Sequence, residues 1–91
     1  MKQESTKHTQ AKVEGSIIQI IGVVVDVQFP EGKVPSLYEA LHVKSKFVES
    51  GTLVLEVASH LGDDRVKAVA LGPTDGLKRG DVVVATDAPL S

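Results

Sequence analysis

Residues 52–71 read TLVLEVASHLGDDRVKAVAL. In the first part Leu53, Leu55 and Val57 alternate with Thr52 and Glu56, and a period of two marks a strand with one face buried. The link His60-Leu61-Gly62-Asp63-Asp64 then supplies the glycine and aspartates that tight reversals use. On the return, Arg65 and Lys67 alternate with Val66 and Ala68. The stretch therefore predicts a β-hairpin, Thr52–Ser59 with Arg65–Leu71.

Working outward, the same grammar repeats. Ser16–Ile21 is a β-branched run interrupted by Gly22, which predicts a bulge or bend. Val25, Val27 and Phe29 then share a face, and Pro30-Glu31-Gly32 is a turn. Gly72-Pro73-Thr74-Asp75-Gly76 and Lys78-Arg79-Gly80-Asp81 read as further turns, and Val82–Thr86 as the last strand. One segment departs from this pattern. Ser36-Leu37-Tyr38-Glu39 has capping-box spacing, with Leu37, Ala40 and Leu41 on one helical face. It predicts a helix of about one to two turns that plugs an open end of the fold. The expectation is an all-β protein, a small closed Greek-key barrel of about six strands with one short helix. Its core would be aliphatic, since the chain has two Phe, one Tyr and no Trp.

Composition narrows the function classes. Ninety-one residues suit one small domain. The absence of cysteine removes disulfides, thiolate nucleophiles and cysteine-based zinc sites. With 42% apolar residues and a net charge of −2, the chain is neither a disordered tail nor a polyanion binder, so no nucleic acid is expected as the main partner. No apolar run approaches the roughly 20 residues a spanning helix needs, so no direct membrane insertion is expected. Residues 1–14 are polar and are read as a flexible lead or an artificial extension, and residues 15–91 as the barrel domain.

No segment assembles a catalytic, cofactor or metal site. A phosphate-binding loop needs Gly, four residues, then Gly-Lys-Ser/Thr. Gly32-Lys33 is followed by Val34 and preceded at position 27 by valine. His8, His42 and His60 share no ligand spacing. Asp63-Asp64 lacks the further oxygens of a calcium loop. Glu56 is an outward strand residue with no second titratable group at hand. Arg79-Gly80-Asp81 spells an adhesion tripeptide, but reads as a turn into a strand. Lys44, Lys46, Lys67, Lys78 and Arg79 could form a basic face, but the stacking aromatics of a single-strand binder are nearly absent.

Several strings resemble the amino-terminal barrel of the beta subunit of the F-type ATP synthase. They are Ile18–Gly22, Val24–Pro30, Leu37–Leu41, Leu53–Ala58, His60–Asp63, Thr74–Leu77 with Arg79-Gly80, and Ala88-Pro89. The related alpha subunit differs at the Phe-Pro turn and the His-Leu-Gly-Asp link. The resemblance departs at Asp87, where the family commonly has glycine, which suggests a slightly altered final turn. The chain also stops at Ser91, before the family's phosphate loop, catalytic carboxylate and stalk-contacting region. Whether Ser91 is a natural end or a cut is left open.

The resemblance implies a crown role, with alpha subunits as partners in an alternating ring that holds while the domains below carry out proton-coupled ATP synthesis or hydrolysis. No catalysis and no cofactor are then expected of these residues, ATP, ADP and magnesium belonging to the rest of the parent subunit. It implies a peripheral complex on the cytoplasmic face of the bacterial inner membrane, or its organelle equivalent. Val54, Val69 and Leu71 lie opposite the core set and are the expected interface positions, with scattered surface apolarity as the bland alternative. An isolated barrel would then self-associate. The competing expectation is a free-standing barrel that binds a ligand or oligonucleotide.

Overall fold

The structure is a computed structural model and describes residues 12–90. Six antiparallel strands are formed: β1 (Glu14–Ile21), β2 (Val24–Gln28), β3 (Glu39–Lys44), β4 (Thr52–Gly62), β5 (Arg65–Ala70) and β6 (Val82–Pro89). They close in the order β1-β2-β5-β4-β3-β6. Strands β3, β4 and β5 follow one another as hairpins, and β6 returns beside β3, which is a Greek key. Among the described residues every strand has a paired neighbour on both sides, the β1–β6 seam being the short ladder of Glu14–Ser16 with Val82–Val84.

The alternation seen in the sequence is the alternation of burial. Leu53, Leu55 and Val57 are at most 2% exposed, and Val66, Ala68 and Ala70 meet them from β5. Val25, Val27 and Phe29 fill the same interior from β2, with Ile17 and Val83 closing it. An interior lined this way is almost wholly aliphatic, so hydrophobic transfer holds the barrel shut.

The hairpin link is tighter than the sequence reading gave. Strand β4 runs on through Gly62, absorbing His60 and Leu61 across two register shifts, and only Asp63-Asp64 turn. Their φ values of 55° and 63° are the paired positive angles of a type I′ turn, which aspartate tolerates. Gly22 likewise makes no bulge. With φ at 60° it opens a two-residue reversal, Gly22-Val23, between Ile21 and Val24. The irregularity in β1 lies instead at Ile18, between Ile17 and Gln19. At the start of the chain, Val13 packs on the core and its carbonyl accepts the Ala85 N–H at 2.9 Å. Most of the expected 1–14 lead lies outside the described residues.

The expected helix at Ser36–Leu41 is absent and β3 takes its place. Part of the capping box does form: the Ser36 N–H donates to Glu39 Oε1 at 3.0 Å, and the Glu39 N–H to the Ser36 carbonyl at 3.1 Å. Tyr38 then adopts φ 69°, left-handed, and no right-handed helix continues through it. From there Leu41 and Val43 point inward while His42 and Lys44 point out. Leu37, placed on the apolar helical face by its spacing, is 46% exposed. A single turn buries too little to outweigh two ladders, one with β4 and one with β6.

Candidate functional surfaces

The outward side chains of β5 and β4 bring the three expected interface residues together. Val54 stands opposite His42 of β3, and its carbonyl accepts the Leu71 N–H at 2.9 Å, which sets Leu71 beside it. Val69 lies one row along, between Val24 of β2 and Glu56 of β4. Leu71 is 55% exposed, whereas Val54 and Val69 are half-buried among their neighbours. Three residues the sequence reading did not place on this face extend it. Ile21 pairs with Val24, both on the outer side, and Val23 at the hairpin tip reaches Ala70 through its carbonyl at 2.8 Å. Ile21 is 64% and Val23 49% exposed, and strand register sets Val24 beside Val69, so these side chains adjoin Val54, Val69 and Leu71 as an apolar ridge. The clue was present in the sequence, because putting Val25 inside forces Val24 outside.

Charge borders the ridge. Lys67 Nζ sits 3.2 Å from Asp26 Oδ1 across the β2–β5 ladder, so that pair is satisfied internally. Glu56, beside Val54 and Val69, makes no ion pair among the described residues.

A second surface lies across β3 and β6. It is a groove of about 760 Å³ lined by Phe47, Leu77, Val82, Val84, Lys44 and Lys78, among others. Two loops build its walls. In the first, Ser45 is buried, its hydroxyl accepts the Phe47 N–H at 3.2 Å, and Phe47 is held out at 54% exposure. In the second, the Lys78 N–H donates to Asp81 Oδ2 at 2.8 Å, and Gly80 and Asp81 bond to Ile17 of β1. The adhesion-like tripeptide is thus a turn pinned to the barrel. The loops meet where Phe47 lies over Gly76. A β-carbon there would come 2.5 Å from the ring, and φ is 84°, so only glycine fits.

Most of the remaining polar candidates are engaged in structure. The Gly32 N–H, which a phosphate loop would aim at its ligand, donates to Asp64 Oδ1 at 3.1 Å. Asp63 pairs with Arg65 at 3.2 Å. His60 Nε2 hydrogen-bonds the Pro35 carbonyl at 2.7 Å, and His42 is exposed between Val54 and Val84. His8 lies outside the described residues. Among the described residues, no three His, Asp or Glu side chains converge to hold a metal ion. Lys44, Lys46 and Lys78 do share the groove, but Glu14, Asp75 and Asp81 share it with them.

Glu39 is a buried polar group that ties the Ser36 turn to the last part of β6. It is 7% exposed, and while Oε1 holds the Ser36 turn, Oε2 accepts the Asp87 N–H at 2.8 Å. Asp87 itself has φ 63°, so it occupies the left-handed conformation that glycine would take at no cost. The carboxylate thereby fixes the path of the chain at the end of β6.

Residues 17–87 match a known family, the ATP synthase alpha/beta family, beta-barrel domain.

Proposed function

The chain belongs to the ATP synthase alpha/beta family, as its beta-barrel domain, and from that premise we propose that it is the amino-terminal barrel of a beta subunit. In this role it joins alpha-subunit barrels in an alternating ring and keeps that ring closed while the parent enzyme makes or hydrolyses ATP. The observation that carries the reading is the outward ridge of Ile21, Val23, Val54, Val69 and Leu71 on a barrel whose own core is already full. Apolar surface of this extent, left over after the interior is packed, is what a subunit interface uses. The Phe29-Pro30 turn and the His60-Leu61-Gly62-Asp63 link favour beta over alpha. The barrel contributes assembly and no chemistry. Nucleotide and magnesium are bound by other parts of the parent subunit, and the complex is peripheral to the cytoplasmic face of a bacterial inner membrane or its organelle equivalent.

Binding of the chain to purified ATP synthase alpha subunit tests this reading. Retention by the alpha subunit, weakened at least about tenfold by Leu71→Lys, is the expected result. Indifference to the alpha subunit together with salt-sensitive binding to single-stranded nucleic acid would support the free-standing barrel instead.

A further inference from the structure

The last strand changes character at Ala85. Up to that residue it closes the barrel. Val82–Val84 pair with β1, Val84 and Ala85 stand against His42 and Leu41 of β3, and Val83 is fully buried. The Ala85 N–H donates to the Val13 carbonyl at 2.9 Å. Beyond it, among the described residues, the segment 86–89 pairs with β3 alone, through Glu39 and Pro89. That ladder is itself broken, because two steps along β3, from Leu41 to Glu39, are matched by four along β6, from Ala85 to Pro89. Asp87 turns inside this bulge with φ 63°. Thr86 is half-buried and Asp87, Ala88 and Pro89 are exposed, so the segment buries little apolar surface.

We propose that residues 86–89 form a strap that opens and closes as a unit on a barrel that stays shut. What fastens it is polar. The Thr86 hydroxyl donates to the Ala40 carbonyl at 2.7 Å and accepts the Ala88 N–H at 3.3 Å, and the Asp87 N–H donates to Glu39 Oε2 at 2.8 Å. When the strap lifts, these bonds are replaced by bonds to water, so each holds it only weakly. Opening the barrel instead exposes Val83 and Leu41, which the hydrophobic effect opposes. Lifting also frees Asp87 from a left-handed backbone that disfavours every residue but glycine. The fastenings are coupled through Thr86, whose hydroxyl ties the strap to Ala40 on one side and Ala88 on the other, next to the amide that Glu39 holds. Lifting leaves the seam of Glu14–Ser16 with Val82–Val84 untouched. The direction in which the chain leaves the barrel then varies while the barrel remains closed. The proposal concerns the barrel alone and does not need the beta-subunit assignment.

Native-state hydrogen exchange of the whole chain, followed by NMR in increasing denaturant, tests it. The Ala70 N–H, which donates to the Val23 carbonyl at 2.8 Å, reports on the barrel, and the Asp87 and Ala88 amides report on the strap. Both strap amides are expected to exchange at least about a hundredfold faster than Ala70, at rates nearly independent of low denaturant. Two variants then ask whether the strap moves as one piece. Thr86→Val leaves the acceptor of Asp87 in place, and Glu39→Gln leaves the acceptor of Ala88. Asp87 in the first and Ala88 in the second are each expected to exchange at least about tenfold faster than in the parent chain. Asp87 exchanging as slowly as Ala70, with the same denaturant slope, overturns the proposal, since the segment then opens only with the barrel. A Thr86→Val chain in which Asp87 keeps its parent rate also overturns it, because the contacts are then separate and form no strap. Neither result bears on binding to the alpha subunit, so the proposed function stands or falls apart from this one.

Discussion

The β4–β5 hairpin and the segment from Ser36 to Lys44 reach the same depth of burial by different routes. In the hairpin, Leu55 and Val66 are fully buried, and their partners within it, Ala70 and His60, lie in the directly adjoining strand across a two-residue turn. In the other segment Leu41 is equally buried, but one of its ladders is made with β6, at Ala85, from the far end of the chain. Its polar anchor is also distant, since Glu39 holds the Asp87 N–H and Thr86 donates its hydroxyl to the Ala40 carbonyl at 2.7 Å. The first region is specified locally and the second by its partners. Local signals in the second point toward a helix, and long-range pairing overrules them.

The largest effects should come from the core and should ignore this distinction. Leu55→Ala and Leu41→Ala, both at fully buried positions, should each destabilise by about 2–5 kcal/mol in chemical denaturation. A Leu41→Ala loss below about 1 kcal/mol would break the claim that β3 is as much core as β4.

Next in size is Glu39, where the regions should differ. Glu39→Ala leaves the Ser36 and Asp87 amides without their acceptor and should cost about 2–3 kcal/mol. Hydrogen exchange at Asp87 should quicken while the amides of β4 and β5 change only with global stability. Unaltered protection of Asp87 would remove Glu39 as the long-range anchor.

The hairpin's own local device is its turn. Asp64→Val puts a β-branched residue at φ 63° and deletes the bond from Gly32, so it should cost about 1–2 kcal/mol. The smallest change belongs to the outer face. Lys67→Ala removes a cross-strand ion pair whose lysine is 41% exposed and should cost at most about 1 kcal/mol, less at high salt.

The same contrast explains what the sequence could and could not convey. Period-two alternation exposed the inward sets of β2, β4 and β5 and the closed all-β architecture, because each position's side of the sheet is fixed by its neighbours in sequence. It also put Val54, Val69 and Leu71 on one outer face. Strand β3 was masked by Ser36 and Glu39, whose spacing suits a helix start and whose actual hydrogen bonds build a turn entering a strand. Leu41-His42-Val43-Lys44 carried a strand signal, but four residues are too few to arbitrate without knowing that β6 lies alongside. The groove was unreadable for the same reason. Phe47, Leu77 and Val82 become neighbours only when the barrel closes.

The most direct test of the crown assignment is assembly. Residues 15–91 would be joined in place of the barrel of a bacterial ATP synthase beta subunit, mixed with alpha subunits and nucleotide, and weighed by native mass spectrometry. The account predicts an alternating ring of three of each, lost when Leu71→Lys is introduced into the barrel. A chimera that folds and binds nucleotide yet forms no ring, or a ring indifferent to Leu71→Lys, would contradict it.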